Sequence, residues 1–264
     1  MEAEAKLLGR YGAVELRERL CEAGVLAALE AKGFSGFEVA IDTRTHALPS
    51  AFVFARSGGE RHLLLEASVG EMSIGADFFA ERGFPVHRPL TFVLVYWVRE
   101  EDPTRRSSPA RPLLPLQRHP GLGVLRRAFR VVTSMAADLG KDGVASIPKF
   151  FHDAALFFHS RLFLFLDGAE QGRFEALLRD LAALPLGDAS LAVAAGCVRS
   201  RGGEAALWSP GPQAFPLSEA LAAYFHSPTY AAAVARGLEE SVFACEVDGL
   251  ARAREMLSAS MPEG

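Results

Sequence analysis

The sequence has few lysines, few cysteines and no long hydrophobic run, and each absence argues against a class of protein. Only four lysines occur and the formal net charge is −4, so no overall positive field attracts a nucleic-acid backbone. The three cysteines have no CxxC spacing, so the pattern supports neither a disulfide framework nor a thiolate zinc site. No apolar run approaches the roughly 18 residues that span a bilayer, and residues 1–6 are acidic where a signal peptide would be basic. We therefore expect a cytoplasmic protein with no membrane span and no nucleic-acid partner.

The chain is long and apolar enough to bury a sizeable core. It has 264 residues, of which 50% are hydrophobic, and this fits one large domain or two small ones. Apolar residues at helical spacing predict a helix over residues 13–32. From Phe37 the period changes to short runs of β-branched and aromatic residues, with a hairpin turn at Gly58 and Gly59. The apolar run at residues 90–98 predicts a central strand that is buried on both faces.

The second half of the chain alternates between helical and strand patterns. These patterns predict a short strand at 113–116, a helix at 124–139, a strand at 144–147, a helix at 151–160 and a strand at 162–166. A second hairpin is predicted within residues 189–208, with two helices towards the C-terminus. The predicted fold class is α/β, or α+β, with a mixed, mostly antiparallel central sheet flanked by helices. We expect three segments, which are an N-terminal helical segment (1–33), an α/β core (34–200) and a C-terminal helical extension (201–264).

The most informative stretch is RHPGLG at residues 118–123, between a predicted strand and a predicted helix. Gly121 and Gly123 allow the backbone to approach a ligand closely, and the free N–H groups of a first helical turn favour a phosphate or pyrophosphate. The sequence therefore predicts an anion-binding loop. An ordinary tight turn, in which the glycines only relieve crowding, stays an alternative.

The spacing R-x-x-G-x-G resembles the coenzyme A pyrophosphate loop of the GNAT superfamily of acyl-CoA N-acyltransferases. Further along, that family carries N-x-x-A-x-x-[FL]-Y, and Ala155 and Phe158 stand in register with it, so the resemblance covers about residues 90–166. It implies a GNAT-like fold, acyl-CoA as cosubstrate and transfer of an acyl group to a small-molecule or peptide amine. The residues that would hold the cofactor are Arg118, His119, Gly121, Leu122, Gly123 and Val124. A looser resemblance, through LQRHPGLG and PKFFHDAALFF, is to a family of uncharacterised bacterial proteins and implies no activity.

The chain departs from the GNAT pattern where protons are transferred. His152 stands where the family prefers Asn, His159 stands where it has the Tyr that protonates the departing thiolate, and Phe163 replaces the Gly of the closing turn. The predicted strand at 113–116 carries no Glu or Asp that could act as a base. A histidine, with a usual pKa of about 6.5, can act as general acid near neutral pH. The catalytic candidates are therefore His159, as the general acid, and His152.

Two further expectations concern metals and partners. His152 and His159 are seven residues apart on one predicted helix face, roughly 10 Å apart, which is too far for one metal ion. No metal is expected, although a zinc ion on His152, Asp153 and a distant ligand stays an alternative. The alternative to an enzyme is an inactive GNAT-like protein that binds a protein partner or a second copy of itself through its C-terminal helices. The aromatic anchors expected on that surface are Tyr224, Phe225, Tyr230 and Phe243.

Overall fold

The structure, a computed structural model, describes residues 5–44, 48–108, 113–159 and 163–260. The helices are α1 (Ala13–Glu22), α2 (Val25–Glu30), α3 (Ala76–Ala80), α4 (Leu125–Asp138), α5 (Phe151–His159), α6 (Gly168–Asp180), α7 (Leu186–Ala194), α8 (Glu219–Phe225), α9 (Pro228–Glu240) and α10 (Val247–Ser260). The strands are β1 (Ser35–Asp42), β2 (Ser50–Ser57), β3 (Glu60–Ile74), β4 (Leu90–Glu100), β5 (Gly143–Ser146), β6 (Leu164–Phe165), β7 (Val198–Ser200), β8 (Gln213–Pro216) and β9 (Phe243–Cys245). Within these ranges no helix has both the length and the apolar character needed to cross a membrane.

In the described part of the chain, seven strands form one sheet in the order β1-β2-β3-β4-β5-β8-β6. The first four strands pair antiparallel in succession, and β8 pairs antiparallel with both β5 and β6. β4 and β5 pair in parallel, because the chain returns between them through a long loop and α4. The predicted fold class, a mixed and mostly antiparallel sheet flanked by helices, is confirmed.

The middle strand β4 is apolar on both faces, as the sequence predicts. Val93 packs in one core cluster with Leu29 and Phe129, which come from α2 and α4. Its neighbour Phe92 points to the opposite face and packs in a second cluster with Tyr224 of α8. Helices therefore cover the sheet on both sides of β4.

Two local predictions differ from the structure. Residues 113–116 form no strand: this proline-rich stretch turns back, with Leu116 at a φ of +68° and the Gln117 side chain accepting a hydrogen bond from the backbone N–H of Leu114. The predicted hairpin within 189–208 is found only in part: α7 replaces most of its first strand. The chain does turn back at residues 201–203, where Arg199 and Ala205 form an antiparallel bridge. Strand β7 also pairs with β9. The buried residues Ala189, Ala192 and Val193 have helical spacing, and this explains α7.

The C-terminal part also contributes to the sheet. Strand β8 lies between β5 and β6, although the segment 201–264 was predicted as a helical extension. Among the described residues three helices follow β8, where two were expected. The division of the chain into three segments stays a prediction.

Candidate functional site

The loop at residues 118–124 leads directly into α4, which begins at Leu125. Gly123 has a φ of +70°, in the left-handed region that favours glycine. The side chains of Leu122 and Val124 are buried, so both residues would reach a ligand only through their backbone. In this geometry the backbone N–H groups at the end of the loop point towards the position that a bound anion would take.

The N-terminal half of the loop is held by the segment that follows β4. The backbone N–H of Arg118 donates to the carboxylate of Glu101 at 3.3 Å. The Nδ1 atom of His119 lies 3.4 Å from the carbonyl oxygen of Arg105. The Arg118 side chain is exposed, and His119 is partly buried. Neither contact decides whether these two residues bind a cofactor, and their binding role stays a prediction.

The anion at the loop is a carboxylate of the chain itself. Glu100, the last residue of β4, places Oε1 3.1 Å from the backbone nitrogen of Gly123 and Oε2 2.9 Å from that of Val124. Burial raises the pKa of Glu100, while the hydrogen bonds from the loop partly oppose the rise. The two N–H groups predicted to receive a pyrophosphate therefore already hold two carboxylate oxygens. Sequence reasoning missed Glu100; the only signal was the run of three acidic residues after the apolar strand, Glu100, Glu101 and Asp102.

A groove of about 800 Å³ lies over the loop, between the end of α2 and the start of α4. The cationic residues Lys32, Arg105 and Arg127 line it together with Glu100. Arg105 also forms an ion pair with the buried Asp102 at 3.3 Å. The groove is open and polar, and its cations suit a ligand that carries several negative charges.

Next to this groove, β4 and β5 separate. Their parallel pairing ends where Val95 lies opposite Ser146, while β4 continues to Glu100. Within the described residues β4 has no strand partner on this side beyond Val95. The Lys149 ammonium lies 4.7 Å from the ring centroid of Tyr96 at the mouth of the gap. The backbone of residues 96–98 thus presents hydrogen-bonding groups to a cleft and not to a neighbouring strand.

His152 lines a cavity beside this cleft, with both ring nitrogens facing protein atoms. Its Nδ1 atom is 2.7 Å from Oγ of Ser190, and its Nε2 atom is 3.3 Å from the carboxylate of Asp153. Burial lowers the pKa of His152 and raises that of Asp153. Asp153 also accepts a hydrogen bond from the backbone N–H of Phe150, which helps to begin α5. These contacts hold the ring in place, and its burial favours the neutral form.

Two cavities lie between the start of α5, which carries His152 and Asp153, and the end of β4. Both residues line a cavity of about 100 Å³ with Trp97 and Glu100. Asp153 also lines a space of about 30 Å³ where β4 and β5 separate. His159 ends α5, two helical turns after His152, and its side chain lies outside the described part of the structure. The catalytic role of both histidines stays a prediction.

The aromatic residues predicted as anchors for a partner lie in the interior. Their exposed fractions are at most 8%: Tyr224, Phe225, Tyr230 and Phe243. The prediction that they form a docking surface is wrong, because α8, α9 and β9 turn these side chains inwards to pack on the sheet and on one another. Among the described residues no group of three His, Cys, Asp or Glu side chains is placed to hold a metal ion.

The chain resembles a solved structure but matches no family of known proteins. No protein-family model matches the chain, and no curated protein matches it. Among solved structures, the chain is similar to one described as AtaT complexed with acetyl-methionyl-tRNAfMet, with 11% sequence identity and a TM-score of 0.29. The match covers 57% of this chain and 74% of that one.

Proposed function

We propose that this protein is a GNAT-like N-acyltransferase that transfers an acyl group from a coenzyme A thioester to an amine. The observation that carries the proposal is the separation of β4 and β5 directly beside the loop at 118–124. An open strand edge, the glycine turn at 118–124 and a cationic groove lie beside one another there, and this proximity supports the proposal. The sequence resemblance to the GNAT loop adds to this geometry.

Some of the chain's residues fit parts of acyl-CoA as they stand, whereas others fit only after a side chain has moved. The free edge at residues 96–98 can pair with an extended, amide-containing arm as a strand would. Lys32 and Arg127 line the groove in which a nucleotide diphosphate would lie. The N–H groups of Gly123 and Val124 fit a diphosphate oxygen only when the Glu100 carboxylate turns away from them. When bound, acyl-CoA supplies an activated acyl thioester.

The carboxylate of Asp153, and not the ring of His152, would accept the proton from the amine. Asp153 lines the space between the separated strands, and burial raises its pKa, which makes it a better base than an exposed carboxylate. His152 would orient Asp153, and Ser190 would orient the ring of His152. His159 keeps its predicted role as general acid. Catalysis of this kind depends mainly on positioning the amine beside the thioester.

An inactive binding protein that keeps this fold is the second candidate. What favours it is Glu100, which occupies the anion-binding N–H groups with the chain's own charge. The two candidates differ in ligand binding, because an enzyme of the proposed kind must bind acyl-CoA saturably.

The test is calorimetric titration with acetyl-CoA and with a long-chain acyl-CoA, using the wild-type protein and Gly121→Glu. A Cβ atom at Gly121 makes only ordinary contacts, the nearest being 3.5 Å from Oε1 of Glu100, so the variant should fold. It adds a second carboxylate to the loop. Gly202→Glu is the matched control, because it places the same charge on a distant turn, where a Cβ atom meets only Oγ of Ser200, at 3.7 Å. We expect saturable binding that is lost in Gly121→Glu and kept in Gly202→Glu. No binding to the folded wild-type protein up to about 1 mM ligand would refute the proposal.

A further inference from the structure

Glu100 is placed as a bound anion would be. Each of its carboxylate oxygens accepts one hydrogen bond from one backbone N–H of the loop, to Gly123 and Val124, at 3.1 and 2.9 Å. Turns at the start of a helix hold phosphate in the same way, with two oxygens placed over two successive N–H groups. The carboxylate thus takes the contacts that the loop would offer a ligand.

The backbone of Glu100 is fixed by the sheet, whereas among the described residues its carboxylate is held by backbone N–H groups of the loop and of the start of α4. The residue pairs with Leu65 of β3, so its Cα position is set by the sheet. In the described part of the chain the carboxylate forms no salt bridge, although Lys32 and Arg127 line the same groove. A rotation about the side-chain bonds would therefore release both N–H groups without moving the strand. It would also bring the carboxylate into the groove, nearer water and the cations.

The groove around the carboxylate favours a more highly charged anion. The charged side chains that line it are Lys32, Arg105, Arg127 and Glu100 itself. Arg105 is paired with Asp102, which leaves Lys32 and Arg127 facing the groove without a carboxylate within salt-bridge distance among the described residues. A diphosphate carries more negative charge than one carboxylate and would gain more from these two cations.

We infer that Glu100 is an internal competitor that closes the diphosphate site of the ligand-free protein and must be displaced before a diphosphate ligand binds. This inference rests on the proposed function and adds a regulatory contact to the same site. Under this inference, the measured affinity equals the intrinsic affinity multiplied by the fraction of molecules in which Glu100 has turned away. A minor open state is commonly populated at 10% or less, so removing the competitor should tighten binding by about tenfold or more.

The test is titration with inorganic pyrophosphate and separately with coenzyme A, using the wild-type protein, Glu100→Gln and Glu100→Ala. Gln has one acceptor oxygen where the carboxylate has two, so it cannot accept from both loop N–H groups through separate oxygens. Glu60→Gln is the matched control, because it removes the same charge from an exposed residue in the β2–β3 hairpin. We expect pyrophosphate to bind about tenfold or more tightly to both Glu100 variants than to the wild-type protein, with no change in Glu60→Gln.

The outcomes separate this inference from the proposed function. Equal pyrophosphate affinities for the wild-type protein and the Glu100 variants, or no pyrophosphate binding at all, would overturn the inference. Tight coenzyme A binding that is the same in all proteins would overturn it too and would leave the proposed function standing. Tighter pyrophosphate binding in the variants without any coenzyme A binding would support the inference and overturn the proposed function.

A measurement on the wild-type protein covers the case in which the variants do not fold. Under the inference, pyrophosphate shifts the amide NMR signals of Gly123 and Val124 and the side-chain carboxyl carbon signal of Glu100 over the same concentration range. Amide shifts with an unchanged Glu100 signal would overturn it, as would the absence of any amide shift.

Discussion

A single buried carboxylate, that of Asp142, fixes the start of the strand pair whose other end opens into the cleft. Its Oδ1 and Oδ2 accept hydrogen bonds from the two terminal nitrogens of Arg88, both at 2.7 Å, and Oδ2 also accepts from the backbone N–H of Thr91 at 2.8 Å. The backbone carbonyl of Asp142 accepts from Leu217 and Ser218, next to β8. One residue thus joins the beginnings of β4 and β5 to the end of β8.

The magnitude for Asp142→Asn follows from these contacts. Hydrogen bonds to a charged group contribute about 1.5 to 3 kcal/mol, and this side chain is 1% exposed. The Arg88 side chain is 59% exposed and can return to water, so no second charge is left buried. The new amide group points a donor at the donors of Arg88. We expect a loss of about 2 to 3 kcal/mol in the free energy of unfolding and a fall of about 5 to 10 °C in Tm.

The matched control for Asp142→Asn is Glu38→Gln. Glu38 also accepts two hydrogen bonds from one arginine, Arg61, at 3.1 and 3.2 Å, but both side chains are about half exposed. A surface pair of this kind contributes about 0 to 1 kcal/mol. Both variants are unfolded in urea and by heat. A loss in Asp142→Asn no larger than in Glu38→Gln would refute the reasoning.

The pH dependence gives an independent check on Asp142. Burial by itself would raise the pKa of Asp142, but the hydrogen bonds from Arg88 and Thr91 outweigh it and lower the pKa below its ordinary value of 3.8. A carboxyl whose pKa is lower in the folded state stabilises the protein above the unfolded value, and this contribution is lost as the pH falls through the folded value. The difference between wild type and Asp142→Asn should be full near pH 7 and shrink below pH 3.8. A difference that grows on acidification would contradict this sign.

Two further predictions concern the helices that cover the sheet. In Gly172→Ala the new Cβ atom would overlap the backbone carbonyl oxygen of Val234, so α6 and α9 must move apart, and we expect a loss of about 1 to 3 kcal/mol by urea unfolding. Gly202→Ala, which meets no such contact, should change stability by much less, and equal losses would contradict the packing argument. In Tyr230→Phe the buried carbonyl oxygen of Phe165 loses the hydroxyl that donates to it at 2.7 Å. We expect a loss of about 1 to 1.5 kcal/mol in the free energy of unfolding by the same urea assay. An unchanged urea midpoint would show that water replaces the hydroxyl.

The parts of the fold that the sequence predicts well are those with long local patterns. The apolar run of β4 and the amphipathic pattern of α4 each specify their element without reference to distant residues. The run LLPL at 113–116 is apolar but contains a proline, which cannot donate to a strand ladder, and the chain turns there instead. The segment that forms α7 is short and apolar, and its composition does not separate a buried strand from a buried helix.

Only the backbone conformation of the candidate site can be predicted from the sequence. The glycines of the loop and the following helix pattern predict a turn at the start of a helix, and the structure has a turn at that place; that the turn binds an anion stays a prediction. The contacts that decide its chemistry join distant positions: Glu100 lies 23 residues before Gly123, and His152 lies 38 residues before Ser190. Such contacts depend on where β4 ends relative to the returning loop, which no local pattern encodes.

The same contact that argues for an anion site also limits it. The N–H groups of Gly123 and Val124 donate to the Glu100 carboxylate, and these hydrogen bonds oppose the rise in its pKa that burial causes, although burial remains the larger effect. Under the inference drawn above, a ligand reaches these two N–H groups only by displacing Glu100. Binding energy measured with Glu100 present is the difference between two anions, not the strength of the loop for one.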